Sequence, residues 1–144
     1  EPNFRGLTDA IIDLKEGFPT FAPLQIGFDA ETFEAVSDGD ALFIRTSDGK
    51  VGKASAADGT LENATVVGFA DTAGITGATI KVVVIGIKTF SGLNAGDLHF
   101  LSPTTAGAIT TTAPSSAGQA VVRVGESVTA TQFAIQPEPP ILLR

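Results

Sequence analysis

His99 is the sole histidine of the chain, which also lacks cysteine. A lone imidazole acts as a general base only beside a group that it activates. With one His and no Cys, neither a His–His metal pair nor a Cys–His dyad can form. Alternation puts His99 on the strand face opposite Phe100, and the spacing predicts a surface or interface histidine. Asp38-Gly39-Asp40, with Asp48 nearby, has the carboxylate density of a calcium loop. An EF-hand also needs oxygens at alternating positions and a closing Glu, which this segment lacks. Asp40 and Asp97 each follow a Gly at the entry to a strand, where a short carboxylate accepts backbone N–H bonds in a turn. Glu31 and Glu34 pair two carboxylates, but glycoside hydrolysis needs one raised pKa and a cleft as well. Sixteen glycines form no Gly-x-Ser-x-Gly elbow, P-loop or dinucleotide fingerprint. The expectation is a protein that is not an enzyme, with no metal and no cofactor.

Composition narrows the partners. A net charge of -7, with nine scattered basic residues, argues against nucleic acid. No apolar run reaches the length of a membrane span, and no signal peptide is expected from the opening residues. All ten aromatic residues are Phe. Without Tyr or Trp, a stacking platform for sugars or bases is not expected. The chain also lacks Met, which leaves processing or residues before Glu1 as open readings.

The elements that must position these residues show an internal repeat. Gly39-Asp40-Ala41-Leu42-Phe43-Ile44 returns as Gly96-Asp97-Leu98-His99-Phe100-Leu101, 57 positions later. The same shift carries Val67-Gly68 onto Val124-Gly125, and Gly49-Lys50-Val51 meets Gly107-Ala108-Ile109 at a shift of 58. Such self-similarity marks one supersecondary unit used twice. Each copy reads as a strand, a Gly turn, a second strand, a variable loop and a longer apolar strand. Asp48-Gly49 between two strand-like runs is a hairpin signal. Strands are expected over 24–28, 41–46, 50–54, 64–70, 79–88, 98–101, 108–112, 119–127 and 131–136, with 33–36 as a weaker one. The run from Lys81 to Lys88 is apolar on both faces, as a central strand would be, with a gatekeeper lysine at each end.

The two ends differ from this pattern. Leu7, Ile11, Leu14 and Phe18 recur at helical spacing and predict a short amphipathic helix over about residues 8–16. Its stripe packs either on this chain's own β domain or on a neighbouring subunit. Phe18-Pro19-Thr20-Phe21-Ala22-Pro23 reads as a stiff connector. At the other end, Pro137, Pro139 and Pro140 enforce an extended tail that carries Ile141, Leu142 and Leu143. These three fold back or plug a groove on a neighbour, and the second reading is preferred because exposed apolar residues usually mark an interface. The division is therefore an arm over 1–23, a β domain over 24–136 with half-repeats over about 36–88 and 93–136, and a tail over 137–144. Phe4, Leu7, Ile11, Leu14, Phe18, Ile141, Leu142 and Leu143 are the candidate interface residues.

The order of elements over residues 36–136 resembles that of the capsid-decoration (cement) proteins of tailed bacteriophages. The resemblance rests on Gly39-Asp40 and Gly96-Asp97 leading strands, on the short Gly hairpin, and on Val66 to Ala70 followed by Val82 to Val84. Ala95-Gly96-Asp97 through Thr110-Thr111-Thr112, with Val121 to Gly125 behind it, is similar to segments of virion structural proteins. The resemblance implies an all-β, compact β-barrel or β-tulip domain on the outer surface of the phage head. It implies trimers or dimers that clamp the major capsid protein where capsomers meet, after synthesis in the host bacterial cytoplasm. The alternative is a phage tail, baseplate or receptor-binding β module.

Overall fold

A computed structural model of the chain describes residues 24–57 and 59–144. Their elements are β1 Gln25–Glu31, β2 Ala41–Ile44, β3 Val51–Lys53, α1 Leu61–Ala64, β4 Gly68–Ala70, β5 Thr79–Thr89, β6 Leu98–Leu101, β7 Ile109–Thr110, β8 Ala120–Val121, β9 Arg123–Ser127, β10 Gln132–Ile135 and β11 Ile141–Leu142. The domain is mostly β, and its main sheet curls into a half-barrel. The helix expected over 8–16 lies outside the described residues.

The main sheet runs β3-β2-β4-β5-β10-β9-β6-β7, with β1 also paired to β5. Outward from the central β5–β10 pair, the two halves have one connectivity: β5, β4, β2, β3 on one side and β10, β9, β6, β7 on the other. Gly39 and Gly96 enter β2 and β6 with φ of 91° and 87°. Similar turns follow, closed by Asp40 N–H to Ser37 O at 3.1 Å and Asp97 N–H to Asn94 O at 3.2 Å. Gly68 and Gly125 serve a different need, a close crossing of backbones. A Cβ at Gly68 would lie 2.3 Å from Val83 O, and one at Gly125 would lie 2.1 Å from Ala134 O. No side chain fits either place.

Strands β2 and β4 and the Val82–Val83 part of β5 bury both faces. Phe43, Phe69 and Val83 join Leu101, Val122, Val124, Phe133 and Ile135 in the larger core. Their chain neighbours Leu42, Ala70 and Val82 belong to a second core with Ala30, Val36, Val51 and Ile80. Adjacent strand residues point to opposite faces, so these runs are continuously apolar. The larger core is tied by Phe69, Phe90 and Phe133, which meet edge-to-face at centroid distances of 6.1, 5.5 and 5.3 Å.

The stretch 33–36 forms no strand, only a bridge at Val36, and 119–127 divides into β8 and β9. Two further segments depart from the sequence reading. The strand expected over 64–70 begins only at Gly68, because Leu61–Ala64 makes a helical turn. Local bonds stabilise that turn: Ala64 N–H to Thr60 O at 3.2 Å, and Thr65 Oγ1 to Leu61 O at 2.6 Å. The tail takes its backbone partners from its own domain. Glu138 N–H donates to Arg123 O, Leu143 N–H to Gln119 O, and β11 pairs antiparallel with β8.

Candidate functional site

His99 sits on β6, on the face opposite Phe100, but that face is the covered one. The imidazole is buried rather than at the surface. The reason lies two residues on: Leu101 shares its face and belongs to the larger core. Nε2 of His99 is 2.5 Å from Ser127 Oγ on β9, and the ring meets Phe133 edge-on at 5.2 Å. Nδ1 is buried with no hydrogen-bond partner among the described residues. A His beside a Ser has the composition of a base and nucleophile. Ser127 is only 1% exposed, however, and among the described residues no third group bonds the ring to orient it.

Burial pushes the His99 pKa below its ordinary 6.5, with the Asp97 charge opposing. The unfolded chain then takes up the proton at a higher pH than the folded one. Stability is full above about pH 6.5 and falls as the pH drops below it toward the lower folded value. Thermal melts at pH 7.5 and pH 5.5 should show a lower Tm in acid. His99→Gln should lose much of that difference; an unchanged difference would place the acid sensitivity elsewhere.

The carboxylates do not converge. Asp38 bonds Lys88 Nζ at 2.6 Å, and Asp40 Oδ2 accepts Ser37 N–H at 2.8 Å. Asp48 pairs with the Arg45 guanidinium, whose hydrogen bonds hold its carboxyl down to about 2. Glu31 pairs with Lys50 at 2.9 Å, and Glu34 accepts Lys53 N–H at 2.9 Å. Among the described residues no group of three or more His, Cys, Asp or Glu is placed to hold a metal ion.

Lys88 also departs from its expected place. Lys81 remains exposed, as a gatekeeper would, whereas Lys88 is buried with its Nζ 2.6 Å from Asp38 and 3.1 Å from Asp71. The cause is β10, which pairs with β5 beyond Gly86 and sets Phe133 opposite Lys88. The far end of the apolar run is thereby interior. Removing both aspartates would strand a buried cation, so this ion pair is structural in its consequences.

The outward-facing apolar residues are the better candidates for contact. Leu24, just before β1, and Ile26 and Phe28 on it are 73%, 57% and 38% exposed, and Ile85, opposite Ile26, is 55% exposed. The alternation read from the sequence is present here, but among the described residues no element covers that face. Val82 and Val83 are fully buried, so cover on both faces of β5 ends within two residues of Ile85. Of the candidate interface residues, Phe4, Leu7, Ile11, Leu14 and Phe18 lie outside the described residues. Ile141 is 64% exposed, while Leu142 and Leu143 are half-buried and Leu142 lies near Gly59. At the outer edge, an open recess of about 470 Å³ is lined by Ser102, Thr105, Thr110, Thr112, Ser115 and Gln119 among others.

No family model matches this chain, and no curated protein matches it. Its fold and surface define a mostly β domain with exposed apolar side chains at Leu24, Ile26, Phe28, Ile85 and Ile141. Among the described residues, no helix is long and apolar enough to cross a membrane.

Proposed function

We propose that this chain is a capsid decoration, or cement, protein of a tailed bacteriophage. It binds the outer surface of the head and stabilises contacts between capsomers of the major capsid protein. The observation that carries the reading is the exposed apolar side chains, Leu24, Ile26, Phe28, Ile85 and Ile141, on a mostly β domain. We read the two halves of the main sheet as two copies of one strand-hairpin-strand unit. Their matching connectivity and the paired glycines Gly68 and Gly125 support this. The chain acts as a homo-oligomer, a trimer or a dimer, and it is not an enzyme. A net charge of -7 disfavours nucleic acid as its ligand.

The mechanism is added contact area across seams. A standard interface buries about 1,600 Å² in total. Many copies on one shell then reinforce modest single contacts. Phe4, Leu7, Ile11, Leu14 and Phe18, with Ile141 to Leu143, supply apolar anchors toward other chains. Co-sedimentation of the purified protein with empty heads tests this. Ile141→Asp should weaken binding about tenfold, the loss of one moderate anchor, with the thermal melt retained. Absence of binding by the unaltered chain would sink the reading.

The hydroxyl-lined recess favours a second reading, a tail, baseplate or receptor-binding module. Electron microscopy of particles carrying a label on this chain separates the two. Signal over the head supports cement, and signal confined to the tail supports the alternative.

A further inference from the structure

The two outer hairpins of the main sheet share one register. Ile44 faces Val51 and Phe43 faces Gly52 in the β2–β3 pair, while Leu101 faces Ile109 and Phe100 faces Thr110 in the β6–β7 pair. Their outer borders differ. On β3, Thr32 bridges Val51 in parallel, Phe33 N–H donates to Val51 O at 3.0 Å, and Glu34 Oε2 accepts Lys53 N–H at 2.9 Å. This three-residue strap leaves Val51 fully buried. β7 ends the sheet and has no such strap among the described residues. Leu101 N–H donates to Val122 O at 2.9 Å, so the polar groups of Leu101 point away from β7. Polar groups alternate sides along an antiparallel pair, so Ile109, opposite Leu101, turns its N–H and C=O away from β6. Among the described residues nothing bonds either group. The recess of about 470 Å³ lies at this border, lined by Ile109 and Thr110.

The second half's own counterpart of the strap goes elsewhere. Thr32-Phe33 returns as Thr89-Phe90, 57 positions on. Phe90 N–H donates to Thr131 O at 2.9 Å, and its ring meets Phe69 and Phe133 in the larger core. The residue facing the strap accounts for the difference. A Cβ at Gly52 would lie 2.2 Å from the Phe33 ring, so the ring fits only because that place is empty. Thr110 fills the same register position on β7 and leaves no room for a ring. Lys53, whose Nζ lies 3.9 Å from Glu34, follows Gly52; Thr111 follows Thr110, so no cation awaits a carboxylate there. The recess lining carries no charged side chain either. We propose that β7 binds a short extended segment of a partner protein by parallel strand addition, as β3 takes Thr32–Glu34. The segment is uncharged and places a small side chain over Thr110. Main-chain bonds to Ile109 hold it, and the recess walls select its side chains.

Amide exchange and peptide titration, both followed by NMR on the full chain, test this. The outward Ile109 amide should exchange at least about tenfold faster than the Thr110 amide, which is paired with Phe100. Slow exchange at Ile109 would mean that residues 1–23 or a second copy already cover the border, and would overturn the proposal. The probe is the capped peptide Thr-Ala-Ser-Ala-Val, the 32–36 sequence with Phe33→Ala and Glu34→Ser. At millimolar concentration it should shift the Ile109 and Thr110 amides and slow exchange at Ile109. Methylating the peptide nitrogen that stands in for Phe33 N removes the donor to Ile109 O, and should weaken binding about tenfold. The unaltered Thr-Phe-Glu-Ala-Val peptide should bind about tenfold more weakly as well, through its ring and its charge. No shift at Ile109 would overturn the proposal, as would equal binding of the methylated peptide. No heads are present in these experiments, so their failure leaves head binding untouched. Loss of head binding with intact peptide binding would instead sink the cement reading.

Discussion

Phe133→Ala is expected to lower stability by about 3–5 kcal/mol, the range for truncating a fully buried aromatic residue. Phe133 lies on β10, between β5 and β9, and it is fully buried. Its ring meets Phe69 at 5.5 Å, Phe90 at 5.3 Å and His99 at 5.2 Å. Those partners come from β4, the end of the first half and β6, so one side chain couples both halves of the sheet. Removing it leaves a cavity that three rings on different strands cannot refill together. A drop in Tm of roughly 10 °C should accompany the loss. Denaturant titration gives the direct measurement, and an unchanged m-value would show that the unfolded state is unaltered. A loss under about 1 kcal/mol would mean that the two halves do not share this core.

Gly125→Ala should be nearly as costly, at about 3 kcal/mol, because a new methyl group has nowhere to go. Its Cβ would lie 2.1 Å from Ala134 O and 2.6 Å from the edge of the Phe133 ring. The ring can shift, but the carbonyl belongs to the paired strand β10 and cannot move without breaking the ladder. Gly68→Ala meets the same obstacle at Val83 O, 2.3 Å away. Similar losses for the two variants, measured by denaturant titration, are the outcome expected of equivalent positions. A much smaller loss at one site would show that the two halves pack differently there.

Local chemistry made part of this fold legible. Asp48-Gly49 announces a hairpin, and β2 and β3 pair with Leu42 opposite Lys53 and Ile44 opposite Val51. The recurring Gly-Asp pairs, Gly39-Asp40 and Gly96-Asp97, point to strand entries, and β2 and β6 begin directly after them. Burial was harder to read, because alternation separates two faces without saying which one is covered. His99 and Phe100 show the difficulty: their faces are opposite as expected, yet the imidazole is the buried one. Lys88 shows it again, since β10 covers it from more than forty residues away. The helical turn at Leu61–Ala64 depends on Thr65 Oγ1 closing back on Leu61 O, a bond that strand periodicity does not reveal. Ile141 to Leu143 left two destinations open, and backbone pairing with β8 takes up only part of their apolar surface.

The position of β10 has a consequence for how the molecule is made. It is the last strand of the main sheet along the chain, yet it occupies the centre, joining the half built from β5 to the half built from β9. During synthesis the earlier half must wait, with the Thr89 end of β5 unpaired, until Gln132–Ile135 has emerged. Closure through such distant contacts is slow, on the order of milliseconds to seconds for β domains. Chains interrupted before Gln132 would present that open border to one another, so truncated products should be found among aggregates rather than in the folded fraction.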